Sequence, residues 1–234
     1  MTLATTCASF WLRAGLGAPV PNVWAATSDD TTLEVVEFAR EALRMVVDAH
    51  EWQKLMRTYT VGIGAGPEQT VALPADYGRL IPGTVWLSSM AWPVNGPLSD
   101  AEYEALKQPP TASAWPVFRI SNGALDLLAA APGVSLSLRY ITSQPVTAGS
   151  VTRDTWRADS DTALVDERLI ALAMIALWRD ARGLNAQNAA QLYANALARA
   201  RAQDRPLGVM GMGPGAGNGR APVGLPNGST VVPI

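Results

Sequence analysis

The chain is poor in the residues on which most catalytic and metal chemistry depends. Its 234 residues include one cysteine, Cys7, and one histidine, His50. A single cysteine excludes an intrachain disulfide and a cysteine-based zinc site, and it fits a reducing compartment. A Cys7–His50 dyad lacks any G-x-S-x-G or comparable signature, and a lone histidine near a helix end is typical of a cap. The sequence therefore predicts no catalytic residues, no metal and no cofactor.

Lysine and long apolar runs are also scarce. Two lysines stand beside sixteen arginines, and the acidic residues bring the formal net charge to −2. We therefore expect no basic patch that grips nucleic acid. The longest apolar run, Leu169 to Trp178, covers ten residues, against the roughly 20 that a membrane span needs. The sequence predicts a soluble globular chain with no membrane partner.

Helical periodicity is present toward both ends of the chain. A short helix is predicted over Thr5–Ala14 and a longer one over Thr32–Trp52. Two more helices are predicted from about Ala163 to Gly183 and from Asn185 to Asp204. The short turn between the last two indicates an antiparallel pair.

Between the helices lie short β-like segments rich in Thr, Val and Tyr and bounded by Gly and Pro. Ser121-Asn122-Gly123 predicts a hairpin turn, because Asn and Gly tolerate positive φ angles. Ser99 and Glu102 have the spacing of a capping box for one short helix. The predicted strands are Leu55–Ile63, Gln69–Leu73, Thr84–Met90, Val117–Ile120, Leu125–Leu128 and Ser135–Ile141.

Three polar or glycine-rich stretches are candidate ligand sites. Gly62–Gly66 follows a strand but leads to another strand-like segment, which predicts a hairpin turn instead of a phosphate loop. Gly211–Gly219 lacks a preceding strand and a Walker lysine, which indicates low-complexity chain. Asp159 and Asp161 are interpreted as a polar lead into the next helix. In EQTVALPADYGRLI, Asp76 and Arg79 are interpreted as a turn former and a surface or interface charge.

The last segment, from Pro206, is dominated by Gly and Pro and does not bury enough surface to fold by itself. It is interpreted as a flexible arm that orders on a partner, with a free end that has no partner as the alternative. Its spaced apolar residues are the predicted anchors: Val209, Met210, Met212, Val223, Leu225, Val231 and Ile234.

The order of these signals over residues 4 to 205 resembles the head-to-tail adaptor (connector) family of tailed bacteriophages, in particular the adaptors of short-tailed phages. The pattern starts with a short helix ending at Gly15–Gly17 and a second helix closing at Trp52 in HEWQKL. LPADYGRLI, TVW and WPVNGPLSDAEYEALK follow. The FRISNGALDLL hairpin, the helix DTALVDERLIALAMIALWRDARGL and an Ala/Arg-rich helix complete it.

The resemblance implies a structural virion protein and not an enzyme. Twelve copies would form a ring that docks beneath the portal protein, closes the DNA channel after packaging and provides the platform for a tail or nozzle protein. DNA would pass through the lumen without specific binding. The implied location is the head–tail junction of the virion, after synthesis in the cytoplasm of the bacterial host.

The predicted fold class is α+β, a helical bundle with an inserted β-rich region and a Gly/Pro-rich C-terminal arm. The predicted divisions are 1–53 for the N-terminal helices, 54–155 for the β-rich region, 156–205 for the C-terminal helical hairpin and 206–234 for the arm. The arm anchors are assigned to the portal. The predicted contacts to neighbouring subunits or to the tail are Arg40, Arg44, Trp86, Trp92, Arg179 and Arg182.

Two other functions fit the sequence. One is a different phage connector, such as a tail-completion or stopper protein, although paired long helices suit a bundle better than a β-barrel stopper. The other is a small hydrolase or transferase with a tryptophan-lined pocket, which requires Asp76, Arg79 or His50 to converge in a concave site.

Overall fold

Helices stand at both ends of the described chain and antiparallel strands, with one helix among them, lie between, so the fold is α+β, as predicted. The computed structural model describes residues 2–17, 22–24, 30–64, 66–90, 92–108 and 115–204. The helices in these residues are α1 (Leu3–Ala14), α2 (Asp30–Asp48), α3 (Asp100–Lys107), α4 (Glu167–Ala181) and α5 (Gln187–Asp204). The strands are β1 (Met56–Gly62), β2 (Glu68–Ala72), β3 (Tyr77–Leu80), β4 (Trp86–Leu87), β5 (Val117–Ser121), β6 (Ala124–Leu128), β7 (Ser135–Thr142), β8 (Val146–Ala148), β9 (Val151–Arg153) and β10 (Thr162–Ala163).

Helix α1 begins at a capping box. The Thr2 side chain accepts a hydrogen bond from the backbone N–H of Thr5, and the Thr5 hydroxyl accepts one from the backbone N–H of Thr2 at 3.1 Å. The helix ends at Gly15, whose φ of +73° is a left-handed conformation that side chains disfavour. The predicted first helix is confirmed, with a start two residues earlier than the sequence indicated.

Helix α4 lies at the centre of the helical part and contacts α1, α2 and α5. All seven residues from Leu169 to Ile175 are buried, because neighbours cover the helix on several sides. The rings of Phe10 in α1 and Trp178 in α4 meet edge to face, with their centres 6.2 Å apart. The buried cluster around α4 is the helical core; its largest members include Leu3, Phe10, Leu43, Leu55, Trp156 and Met174.

The start of α4 and the end of α2 differ from the prediction by about four residues each. Thr162 and Ala163 form β10 on the edge of β8, and α4 begins only after Asp166, whose carboxylate accepts the backbone N–H of Arg168 at 2.9 Å. Helix α2 ends at Asp48 and not at Trp52. The glycine predicted to stop α4, Gly183, lies two residues past its end at Ala181, has φ +66° and donates its N–H to the carbonyl of Asp180.

Strand β7 is the centre of the largest sheet. It pairs with the whole of β1 along one edge, and β3 and β4 pair with its other edge. In a second sheet β6 lies between β2 and β5, and the β5–β6 turn is formed by Asn122 and Gly123 with φ of +50° and +75°. This is the predicted hairpin turn. In a third, β8 lies between β9 and β10.

Strand β7 contributes to two separate buried clusters. Leu136, Leu138 and Tyr140 belong to the sheet core, whereas Ile141 belongs to the helical core. Successive side chains of a strand point to opposite faces, so one strand supplies both clusters. The other large members of the sheet core include Val71, Val85, Leu87, Phe118, Leu125 and Leu127. The division of the chain at residues 53 and 155 stays a prediction.

Helix α3 is held on the sheet by charge. The predicted capping box of Ser99 and Glu102 is present at its start. Arg119 on β5 stacks on the ring of Tyr103, 4.4 Å from its centre, and pairs with Glu104 at 3.0 Å. The same guanidinium pairs with Asp126 of β6 at 3.0 Å, so one arginine joins α3 to the hairpin.

The glycine-rich segment Gly62–Gly66 does not form the predicted hairpin turn. Strand β1, which precedes it, pairs with β7, whereas β2, which follows it, pairs with β6. The segment therefore carries the chain from one sheet to another. Ile63 is fixed at the crossing point by a 2.8 Å hydrogen bond from its N–H to the carbonyl of Val134.

Strand β3 was not predicted, because Asp-Tyr-Gly was interpreted as a turn. The turn lies just before it, where the N–H of Tyr77 bonds the carbonyl of Pro74 at 2.9 Å. The register of β3 on β7 shifts at Gly78, and a Cβ there would lie 2.8 Å from the carbonyl oxygen of Ile141. Glycine is needed for this close approach, and the bulge keeps the strand paired.

Candidate docking surfaces

Three tryptophans are exposed on the sheet side of the molecule. Trp86 lies between the buried Val85 and Leu87, so the alternation of β4 turns it outward, 39% exposed. Trp92 is 43% exposed and meets Trp115, 64% exposed, with ring centres 5.8 Å apart. The sequence marked Trp86 and Trp92 as contact residues, and the structure adds Trp115. Exposed aromatic side chains are typical of protein interfaces.

Arg40 and Arg44 differ in their availability. The guanidinium of Arg40 lies over the ring of Trp24, 5.4 Å from its centre, and bonds the carboxylate of Glu37 in the same helix. Arg44 is 73% exposed and makes only a 3.8 Å contact with Glu41. An ion pair so exposed contributes little to stability. Arg44 is therefore free to bind a partner, whereas Arg40 is engaged within the chain.

Arg179 and Arg182 lie near the end of α4 in different surroundings. Arg182 pairs with Glu34 of α2 at 2.5 Å and thereby joins two helices. Arg179 lines a groove with Arg13 and the apolar side chains of Leu172, Ile175 and Leu192. In the described part of the chain Arg179 forms no ion pair. The structure therefore separates these two predicted contact residues, and only Arg179 keeps its charge unpaired.

Asp76 joins β3 to β7. Its carboxylate accepts hydrogen bonds from the hydroxyls of Tyr140 at 2.8 Å and Thr142 at 3.0 Å. Burial, with the bond to this carboxylate, raises the pKa of Tyr140 to about 12. Both carboxylate oxygens are used, and Asp76 therefore has a structural role. Its interpretation as a turn former is incomplete, since the side chain bonds the neighbouring strand.

Arginine and tryptophan side chains cap the C-terminal end of α2. Arg79 donates to the carbonyls of Asp48 at 3.2 Å and His50 at 2.9 Å, and Arg201 of α5 donates to the carbonyl of Ala49. The indole N–H of Trp52 donates to the carbonyl of Val46 at 2.7 Å. The last carbonyls of a helix lack partners within it and carry partial negative charge, which guanidinium groups neutralise.

Arg79 is therefore a helix-capping residue and not a surface or interface charge. Its partners and those of Asp76 belong to different elements, α2 in one case and β7 in the other. The side chain of His50 pairs with Asp204 at the end of α5, with its Nε2 3.4 Å from a carboxylate oxygen. Each of the three residues that an active site would need is engaged in holding elements together.

Asp159 and Asp161 form a buried junction instead of a polar lead. Asp161 is 2% exposed and accepts hydrogen bonds from the backbone N–H groups of Arg157 at 2.7 Å and Ala158 at 3.0 Å, and it pairs with Arg153 at 3.0 Å. The carboxylate of Asp159 accepts the backbone N–H of Trp24 at 3.0 Å. The partners of Asp161 lie within eight residues of it in sequence, whereas Trp24 is 135 residues from Asp159, so only this second contact lies beyond the reach of a local pattern.

Cys7 is fully buried in the helical core. Burial raises the pKa of its thiol to about 12, and the carboxylates of Asp159 and Glu167 add to this rise. A thiol with so high a pKa is protonated at neutral pH and is not a nucleophile.

The described residues offer neither a metal site nor a membrane-spanning helix. No group of three or more His, Cys, Asp or Glu side chains in them is placed to hold a metal ion. None of the helices they contain is both long and apolar enough to span a bilayer. The predicted arm anchors, from Val209 to Ile234, lie outside the described residues.

Asp76, Arg79 and His50 hold the fold together, and the exposed tryptophans and arginines remain as surfaces for other proteins. These features describe an assembly component. The family model described as SU10 adaptor protein matches residues 1–216. The chain therefore belongs to the SU10 adaptor family, a family of bacteriophage head-to-tail adaptors. No curated protein sequence matches the chain.

Membership of this family confirms the predicted resemblance and makes the protein a structural component of the virion at the head–tail junction. Its partners are accordingly portal and tail proteins. The match extends to residue 216, beyond the last described helix, and so includes the first residues of the predicted arm. Membership favours the adaptor over the stopper protein and over the small hydrolase or transferase.

Proposed function

We propose that the protein forms a ring of twelve copies beneath the portal, closes the DNA channel after packaging and provides the platform for the tail. Its long helices would form the bundle that carries the ring contacts. The sheet region would face the tail. The observation that carries this proposal is the family match over residues 1–216.

The distribution of exposed side chains supports the assignment of ring contacts to the helices and of tail contacts to the sheet region. Trp86, Trp92 and Trp115 are all in the sheet region and offer aromatic surface of the kind found at the centres of protein interfaces. The outer surface of the long helices carries arginines and carboxylates, with single aliphatic side chains such as Leu192 among them. Two surfaces of different chemistry suit two kinds of partner.

The near-neutral charge supports a lumen through which DNA slides. The formal net charge is −2, and each phosphate that a protein neutralises adds to an affinity that would hold DNA in place. A channel for rapid ejection should make few such contacts. We therefore assign the unpaired arginines to protein contacts and not to the genome.

The central experiment mixes purified full-length protein with purified portal rings and images the product by cryo-electron microscopy. We expect a closed ring of this protein on one end of the portal, with the sheet regions pointing away from it. Portal particles that carry no ring at saturating protein would contradict the proposal.

The predicted arm gives a second test in the full-length chain. Replacing Val231 and Ile234 with Asp should weaken portal binding, because charged residues do not enter an apolar contact without loss. The matched control replaces the neighbouring polar residues Asn227 and Ser229 with Asp, which adds the same charge. If both variants bind the portal equally, as measured by co-sedimentation, the arm is not part of the interface.

A further inference from the structure

Helices α2 and α4 border a groove whose rim is acidic. Its floor is apolar and includes Phe38 and Leu177, both of them half-buried. Among the described residues only carboxylates supply charge to its lining, and no cationic side chain does. This acidic groove is lined by Glu34, Glu37, Glu41 and Asp180.

A second surface of α4 has the opposite charge. On this basic face Leu192 of α5 stands between two adjoining depressions and lines both, with 59% of its surface exposed. Leu169, Leu172 and Ile175 supply apolar floor beside it. Four guanidinium groups surround this leucine: Arg13, Arg168, Arg179 and Arg199.

The arginines of the basic face are available, whereas Glu34 and Glu37 of the acidic groove already pair with Arg182 and Arg40 and can accept only further hydrogen bonds. In the described part of the chain none of the four arginines of the basic face forms an ion pair, and one carboxylate, Asp166, is beside them and caps α4. On the acidic groove Asp180 has no cationic partner among the described residues, and Glu41 makes only the 3.8 Å contact with Arg44. A carboxylate has room for further hydrogen bonds after one ion pair.

We infer that the basic face of one copy docks into the acidic groove of the next copy, with Leu192 entering between Phe38 and Leu177. This inference rests on the proposed ring. A contact between two different surfaces of the same chain is head-to-tail, and copies joined in this way form a ring when their rotation about the axis closes. Apolar centres with charged rims are the usual anatomy of such an interface.

A second copy explains both surfaces, whereas nucleic acid explains one. Phosphate would bind the four arginines but would leave the acidic groove without a partner and the exposed Leu192 in water. One self-contact pairs the four arginines with Asp180 and with carboxylates that have room for further hydrogen bonds, and it buries the leucine. The pairing also fixes the order of subunits, because like-charged surfaces that meet would cost several kcal/mol.

The test reverses each surface separately at exposed positions. One variant carries Arg168→Glu and Arg199→Glu, and the other carries Glu41→Arg and Asp180→Arg. Alone, each should need a roughly 100-fold higher concentration to form rings on the portal, since like charges then meet at every contact. Mixed in equal amounts they should recover wild-type rings, because alternating copies restore every pair of opposite charges. Unchanged melting temperatures show that both variants are folded.

The outcomes separate this inference from the proposed function. If wild-type protein forms rings and either variant alone also forms normal rings, the inferred contact is wrong and the proposed ring is unaffected. If wild-type protein forms no rings, both the inferred contact and the proposed function are contradicted. Rings lost in both variants but not recovered by mixing would also contradict the inferred contact. The control Arg139→Glu, an exposed charge on β7 outside both surfaces, should form rings normally.

A DNA-binding experiment tests nucleic acid as the competing partner of the basic face. Wild-type protein and the Arg168→Glu, Arg199→Glu variant are titrated with duplex DNA at several salt concentrations. We expect no binding near physiological salt by either protein. Salt-dependent binding by wild-type protein that the variant loses at least tenfold would assign the basic face to nucleic acid and overturn the inference.

Discussion

The helical core and the sheet core are assembled from the chain in different ways. The helical core combines residues from Leu3 to Tyr193 and is closed by apolar packing around α4, whereas the sheet core uses residues 63 to 140 and is framed by strand ladders. Their outer surfaces differ as well, with arginines and carboxylates on the helices and tryptophans on the sheets. The comparison supports the proposal that subunit contacts and tail contacts use separate surfaces.

The largest expected effect comes from a matched pair of core truncations. Leu43→Ala in the helical core and Leu127→Ala in the sheet core each remove a fully buried side chain and should each lower the free energy of unfolding by about 3 kcal/mol. Because β7 supplies both cores, we expect one calorimetric transition in each variant. Two separated transitions, with each truncation lowering only one, would show that the cores unfold independently.

The next effect concerns the junction that only the helical side possesses. Asp161→Ala leaves two backbone N–H groups and Arg153 without their carboxylate, and it should cost roughly 2–3 kcal/mol in urea unfolding. Asp154→Ala removes a carboxylate that is 65% exposed and pairs with Arg157, and it should cost less than about 0.5 kcal/mol. Equal losses in the two variants would contradict the structural role of Asp161.

A smaller effect is expected where the two sides are joined. Arg79→Ala removes the guanidinium that links β3 to the end of α2, and it should lower stability by about 1–2 kcal/mol. Amide hydrogen exchange should increase most in the last turn of α2. Arg139→Ala, which is also on the sheet but exposed, serves as the control. An equal change in stability and in amide exchange in that variant would show that capping by Arg79 does not explain the effect.

The smallest effect appears only at high pH. The pKa of Tyr140 is raised from 10.0 to about 12 in the folded protein, so its contribution to stability is complete below about pH 10 and is lost as the pH approaches 12. Replacing it with phenylalanine should flatten the decline of stability over that range, measured by urea unfolding. An identical decline in both proteins would place the titration elsewhere.

Local signals made the helices and the main hairpin predictable, and distant partners made the rest unpredictable. Ser99, Asn122 and Gly183 act through neighbours in sequence, so their caps and turns were predicted. Gly78 is required by the carbonyl of Ile141, sixty-three residues away along the chain. No local pattern carries such information, and β3 was interpreted as a turn.

The docking surfaces were predictable in part for the same reason. Trp86 and Trp92 were marked because tryptophan is unusual in number here, and both are exposed. Arg40 and Arg182 were marked with Arg44 and Arg179, although pairing within the chain takes up the first two. Whether an arginine is paired depends on helix packing, which periodicity alone does not reveal.

The position of β7 also has a mechanical consequence. Trp86, on the surface proposed to face the tail, is opposite Ser137 on this strand, and Ile141 of the helical core follows four residues later. At about 3.3 Å per residue the two points are roughly 13 Å apart along a strand held on both edges. Force applied on the tail side would therefore reach the helices through a short strand that is hydrogen-bonded on both edges. Such a strand extends little under load, so the protein would transmit the force as a rigid link.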